Sequence, residues 1–262
     1  MELVKLLSNH PFINIVFLGS DSLSNEYLKD IENKKTYVNL PILKNNKSFD
    51  ASTSDYVFLA LPHAVSNIFV KKYYNKCKII DLSADFRLDS LNTYKDNYGD
   101  NHTCGEYLNN FIYGLPEINR SNISKAKNIS VPGCYPTSIL LPLIPLFEKQ
   151  LIFTEEIIVD SKSGYSGAGK NFDNKNIKSK NNLNFYNYNT NTHRHIAEIK
   201  QELLKKTSNQ KISFSFNPHI LPNFRGMMST IYCDLNNNIK KNDIIYIYKN
   251  FEKNNYFIKY IE

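Results

Sequence analysis

The chain opens with an amphipathic stretch, residues 2–9, in which Leu3, Leu6 and Leu7 share one face and predict the end of a helix. An apolar run follows at Ile13–Leu18 and reads as a strand. A helix is expected near 24–33, a buried strand at Asp55–Leu61, a helix over 64–74 and a second buried strand at Lys78–Leu82. Continuous apolar strands alternating with helices predict a parallel sheet covered on both faces. A further strand, Ile129–Val131, runs through a turn into a helix over 137–149. After Glu155 the pattern changes. Glu156–Ser161, Lys211–Phe216, Met228–Asp234 and Asp243–Tyr248 are rich in Ile, Phe, Tyr and Thr and read as strands of an antiparallel or mixed sheet, interrupted by one helix near 196–206. The Asn-rich stretch 171–191 reads as a surface loop, and no internal repeat is present.

Composition adds little to this picture. The 262 residues carry 42% hydrophobic and 22% charged side chains, which is globular. The formal charge of +7 comes from scattered lysines. That pattern fits a basic surface or anionic small substrates, with no nucleic-acid recognition motif. Cysteines 77, 104, 134 and 233 form no close pair, so neither a metal knuckle nor a disulfide scaffold is expected. The longest apolar run, Ile139–Phe147, is too short for a membrane span and holds two prolines. A cytoplasmic protein without membrane partners is the expectation.

The chemistry-bearing residues cluster at predicted strand ends. Cys134 stands at a strand-to-helix turn, where backbone N–H groups and the helix dipole favour a thiolate and can hold an oxyanion. A buried small residue is the competing reading. Thr192-His193-Arg194-His195 opens a predicted helix. Either histidine can serve a thiol as acid or base, or the pair can be surface groups. No third metal ligand accompanies them. Ser161-Lys162-Ser163-Gly164-Tyr165-Ser166-Gly167-Ala168-Gly169-Lys170 is a small-residue loop whose N–H groups can approach a nicotinamide or phosphate, or a plain turn. Arg87 and Arg225 are candidates for anions, or for salt bridges.

Taken together, LPHAVS (61–66), DLSADFRL (81–88), YGLPEIN (113–119), VPGCYPTS (131–138), SGYSGAGK (163–170), HRHIAEI (193–199) and NPHILPNFRG (217–226) resemble, in that order along the chain, the N-acetyl-gamma-glutamyl-phosphate reductases of arginine biosynthesis. The resemblance implies an NADP-binding Rossmann-type domain over 1–133 and an α+β catalytic and dimerisation domain over 134–262. It implies NADPH-dependent reduction of an acyl phosphate to a semialdehyde through a thioester on Cys134. His195, or else His193, is the implied acid or base. Leu61, Pro62, His63, Ser163, Gly164, Ser166, Gly167, Ala168 and Gly169 are implied to line the NADP(H) site, and Ser83, Arg87 and Arg225 to contact substrate. A homo-oligomer, dimer or tetramer, is implied for the intact family. Three departures stand out. The family's first strand and glycine-rich turn have no counterpart before Met1, a C-terminal return segment has none after Glu262, and Ala64 replaces the usual glycine of LPHG. The α/β fold is thus expected to be an incomplete Rossmann-type domain. A related semialdehyde dehydrogenase and a catalytically silent fragment are the alternative readings.

Overall fold

The computed structural model describes residues 1–32, 39–99, 102–168, 178–179, 182–208 and 211–262. Among these residues the helices are α1 (Glu2–Ser8), α2 (Leu28–Glu32), α3 (Val65–Tyr73), α4 (Leu91–Tyr98), α5 (Pro116–Ile123), α6 (Cys134–Glu148), α7 (His195–Leu204) and α8 (Lys241–Asn254). The strands are β1 (Leu18–Gly19), β2 (Leu43–Lys44), β3 (Tyr56–Leu59), β4 (Lys78–Asp81), β5 (Ile112–Tyr113), β6 (Asn128–Ser130), β7 (Ile157–Gly164), β8 (Lys178–Ser179), β9 (Asn182–Leu183), β10 (Tyr186–Asn187), β11 (Phe214–Leu221) and β12 (Met227–Tyr232). Two compact units result: Met1–Phe58 with Lys72–Ile79, and Leu59–Lys71 with Ile80–Glu262.

In the first unit β1 and β2 pair in parallel, and Leu18, Leu28 and Leu43 form a small core with Val4, Ile15, Leu23 and Leu40 around it. Phe49 lies between the rings of Phe17 and Tyr73, and its carbonyl accepts the Tyr73 hydroxyl at 2.9 Å. The strand expected over 13–18 contracts to its end: Ile13 and Val16 are 38% and 49% exposed, and only Ile15 and Phe17 of the run before Leu18 find packing partners.

A four-stranded sheet has the order β3-β4-β6-β5, with β5 and β6 parallel. The Leu82 N–H donates to the Leu59 carbonyl, and the Val131 N–H to the Asp81 carbonyl. These bonds bring the carboxyl ends of β3, β4 and β6 to one edge, where LPHAVS, DLSADFRL and VPGCYP begin.

The second sheet has the order β10-β11-β7-β12 and is mixed, since β7 pairs in parallel with β11 and antiparallel with β12. Its inner face carries Ile157, Val159, Phe214 and Phe216 against Ile139, Leu140, Leu143, Ile144 and Phe147 of α6 and Ile199 and Leu203 of α7. Each such side chain contributes about 1.5–3 kcal/mol by leaving water. Near its end β7 changes from Ile and Val to Ser161 and Ser163 on the same inward face. The Ser161 and Ser138 hydroxyls both meet Ser229, at 2.7 and 2.8 Å, so buried polar groups there are satisfied.

Residues 243–248, expected as a strand, are helical. They belong to α8, whose Ile244, Ile247 and Tyr248 pack on the core at helical spacing. Asp243 accepts the Lys240 N–H at 2.8 Å and starts the helix, and the Tyr248 hydroxyl donates to the Pro142 carbonyl at 2.9 Å. The β-branched and aromatic composition of six residues hid a period that needs fourteen to read. Among the described residues no helix is long and apolar enough to cross a membrane.

Candidate active site

β6 ends at Ser130, and three residues later Gly133 forms the N-cap of α6, leaving Cys134 as its first residue. The turn between is fastened at both ends. The Val131 carbonyl accepts Arg87 Nε at 2.7 Å, and the Gly133 N–H donates to Glu198 Oε1 at 2.9 Å. The Gly133 carbonyl accepts both the N–H and the hydroxyl of Thr137, at 3.0 and 2.9 Å. Cys134 is the exposed one of the four cysteines. Its sulfur nevertheless sits against protein on most sides, and burial pushes the thiol above its ordinary 9.0. The N–H groups of Tyr135 and of Cys134 itself, and the charge of Arg87, pull the other way, while Glu198 adds to the rise. The expectation of a pre-formed thiolate at the helix start is therefore corrected: desolvation outweighs the helix terminus.

The histidines are placed from β11. Asn189 and Asn191 adopt positive φ of 47° and 55°, and Asn191 exchanges bonds with Phe216, accepting its N–H at 2.8 Å and donating to its carbonyl at 2.9 Å. The chain then turns into α7, with the His195 N–H donating to His193 Nδ1 at 3.1 Å. Both imidazoles are 7% exposed, and the ring of Tyr135 stands edge-on to both. Burial and the adjacent Arg194 push His193 down to about 4. Burial, then His193, Arg87 and Arg194, push His195 down to about 2. Both are neutral at physiological pH. His195 is the nearer to the thiol turn: a β-carbon on Gly133 would lie 2.6 Å from its Nε2. Its Nδ1 is buried and has no hydrogen-bond partner among the described residues.

Glu198, one turn along α7 from His195, was not nominated as a site residue. It is 1% exposed, accepts the Tyr113 hydroxyl at 2.8 Å besides the Gly133 N–H, and faces Arg87 Nη1 at 3.5 Å. Burial raises its carboxyl above the ordinary range, against Arg87 and the two hydrogen bonds that lower it. The signal available in the sequence was its i, i+3 spacing from His195.

Arg87, expected at the substrate, points inward. Besides Val131 and Glu198 it bonds the Leu82 carbonyl at 2.9 Å, and its side chain is 10% exposed. Ser83, also expected at the substrate, is buried; its hydroxyl donates to Asp81 at 2.7 Å and accepts the Asp85 N–H at 3.1 Å. Arg225 is exposed, its guanidinium 5.3 Å from the Phe224 ring. The small-residue loop is half committed. The N–H groups of Gly164, Tyr165 and Ser166 donate to the carbonyls of Gly226, Asn223 and Phe224. Gly164 is needed for that approach, since a β-carbon would lie 2.9 Å from the Arg225 backbone. Ser163 is buried, Ser166, Gly167 and Ala168 are exposed, and Gly169 lies outside the described residues. At the end of β3, Pro62 and His63 are exposed, Leu61 is partly so, and Ala64 has a φ of 65°. Its N–H donates to Asp85 at 2.9 Å. Exposed small-residue backbone on both loops is compatible in kind with a dinucleotide. Among the described residues no cluster of His, Cys, Asp and Glu is suited to a metal ion.

Residues 1–126 match the semialdehyde dehydrogenase NAD binding domain, and residues 134–262 the semialdehyde dehydrogenase dimerisation domain. An N-acetyl-gamma-glutamyl-phosphate reductase of Caldicellulosiruptor bescii is 43% identical over 100% of this chain and 76% of its own length. One from Ehrlichia ruminantium is 40% identical over 98% and 75%. The Arabidopsis thaliana protein described as "Probable N-acetyl-gamma-glutamyl-phosphate reductase, chloroplastic" is 38% identical, and the chain spans 65% of its length. Among solved structures, aspartate semialdehyde dehydrogenase II of Vibrio cholerae superposes with a TM-score of 0.69 at 15% identity, over 95% of this chain and 74% of that one. The Candida albicans enzyme with NADP gives 0.60 at 16%, over 94% and 71%. These two show the same fold.

Proposed function

Because this chain belongs to the N-acetyl-gamma-glutamyl-phosphate reductase family, we propose that it reduces N-acetyl-L-glutamyl 5-phosphate to the 5-semialdehyde through a thioester on Cys134. The observation that carries this is the exposed thiol at the head of α6 with a neutral imidazole seated over the preceding glycine. Thiol and imidazole begin uncharged. Proton transfer from sulfur to His195 creates two opposite charges together, each stabilising the other. The thiolate attacks the acyl carbon, the C–S bond forms, the C–O bond to phosphate breaks, and the leaving phosphate takes the proton from His195. The N–H groups at the head of α6 face the oxyanion of this step.

Leu61, Pro62 and His63, with Ser166, Gly167 and Ala168, are the residues proposed to hold NADP(H), together with Ser163, Gly164 and Gly169 of the same loop. When bound, the cofactor would supply the hydride that takes the thioester carbon from the carboxylic acid to the aldehyde oxidation level. His195, neutral again once phosphate has left, takes up one proton from water and passes it to sulfur as the C–S bond breaks and the aldehyde leaves, which is the one proton the reduction consumes. Arg87 and Glu198 position the turn. Ser83 holds the β4 loop, and Arg225 remains the candidate of the 223–226 loop for substrate.

The test runs in the oxidative direction: N-acetylglutamate semialdehyde, phosphate and NADP+ are mixed with the chain, and NADPH formation is followed by the absorbance of the reduced nicotinamide. Phosphate-dependent turnover that disappears in Cys134→Ser is the expected result. Turnover of aspartate semialdehyde in preference would replace the substrate assignment. The match of residues 134–262 to a dimerisation domain supports a homo-oligomer, checked by light scattering.

A further inference from the structure

The proposed reaction brings a substrate with two anionic groups, a carboxylate and a phosphate, to Cys134. Arg87 is turned inward onto Glu198 and two carbonyls, so a different cation is needed at the open side. Arg194 stands between the two buried histidines but is itself exposed. Its guanidinium lies 5.5 Å from the centre of the Tyr98 ring and makes no ion pair or hydrogen bond among the described residues. Tyr98 in turn lies against His63, ring centres 5.8 Å apart, at the turn assigned to the cofactor. A cation resting on an aromatic face keeps its N–H edge open, and a planar guanidinium matches two oxygens of a carboxylate or phosphate.

We infer that Arg194, held on Tyr98, binds an oxyanion of the acyl substrate beside Cys134. The inference rests on the reading of Cys134 as the acylated thiol. It is supported by the reach of the charge: Arg194 helps depress His193, after burial, and contributes to depressing His195 after burial, His193 and Arg87. The Tyr98 phenol is pushed up to about 12 by burial first, with Glu198 adding and Arg87 and Arg194 opposing. An open cation in this field gives the site its one uncommitted positive group on α7's leading turn among the described residues.

The test needs neither cofactor nor turnover. Iodoacetate, an anion, and iodoacetamide, its neutral counterpart, are compared as alkylators of Cys134 in the chain and in Arg194→Gln and Arg194→Lys, with the labelled peptide measured by mass spectrometry. The ratio of iodoacetate to iodoacetamide rates falls by about tenfold in Arg194→Gln, equivalent to about 1.4 kcal/mol, and is largely kept in Arg194→Lys. Protection against iodoacetamide by inorganic phosphate or by N-acetylglutamate, in the unaltered chain and not in Arg194→Gln, identifies which anion is held. An unchanged ratio with normal Cys134 labelling overturns the inference while leaving the thiol assignment standing. If Cys134 is not labelled ahead of Cys77 and Cys233 in the unaltered chain, the thiol assignment fails and the inference falls with it.

Discussion

The imidazole of His195 rests so closely on Gly133 that a β-carbon there would stand 2.6 Å from Nε2 and 2.9 Å from Cε1. Glycine is thus required here for what lies over it, not for its backbone angles, since φ is −65°. Gly133→Ala pushes His195 off its seat, and a displacement near 1 Å costs turnover on the order of 10²-fold. The oxidative assay reads this, with circular dichroism checking that the fold is kept. Undiminished turnover would show that His195 is not the working imidazole.

The raised thiol of Cys134 sets the direction of its pH profile. Iodoacetamide labelling continues to climb above pH 9.0, the ordinary thiol value, instead of levelling below it. Cys134 still reacts first, because it is exposed while Cys104 is buried and pushed up to about 12. Glu198 raises the Cys134 thiol and Arg87 lowers it, so Glu198→Gln moves the labelling midpoint down and Arg87→Met moves it up. Shifts of the same sign in both variants would mean that only general loosening of the turn is being seen.

Both histidines are depressed in the folded chain, so the unfolded chain binds protons that the folded chain refuses. Their contribution to stability is complete above the ordinary 6.5 and is lost as pH falls, down to about 4 for His193 and about 2 for His195. For one histidine the slope is at most about 1.4 kcal/mol per pH unit. Urea unfolding at pH 7 and pH 5 measures it. His195→Asn should shrink the difference between the two pH values, and an identical difference would mean that His195 is not buried neutral.

Ala64 occupies a left-handed conformation, φ 65°, at the turn before α3. An L-residue there is strained by roughly 1–2 kcal/mol, partly offset because glycine is freer in the unfolded chain. Ala64→Gly is expected to stabilise the chain by about 0.5–1 kcal/mol, read as a higher urea midpoint. A lower midpoint would show that the Asp85 bond to the Ala64 N–H already relaxes the strain.

Much of this was legible in the chain. The strand-turn-helix around Cys134 was visible because Ile129–Val131 is apolar and Pro132-Gly133 breaks the run. Helix α4 was missed, although Ser90 caps it, accepting the Thr93 N–H at 3.3 Å, and Gly99 ends it at φ 71°. Its apolar positions Leu91, Tyr94 and Tyr98 do fall at helical spacing, but they are three in a short polar stretch, and only Tyr94 is buried. Arg87 and Arg225 read alike as sequence, for each is an arginine near a motif, and Arg194 was not singled out. Burial separates them, and burial depends on contacts between residues about a hundred apart, such as Arg87 with Glu198. The same long-range effect reversed the expected acidity of Cys134.

The fastening of residues 131–133 bears on where such a protein can be cut. That turn falls in the seam between the two matched regions, 1–126 and 134–262. Arg87 comes from one side of the seam and Glu198 from the other, yet they face each other within one compact unit. The boundary between the two matched regions is therefore crossed by the contacts that hold the turn. A gene fragment trimmed to 134–262 carries the nucleophile and its imidazole, but leaves Glu198 without its arginine and the thiol turn without half its moorings. Swapping either region between relatives asks the incoming partner to bring back one residue, an arginine or a glutamate, before it brings anything else.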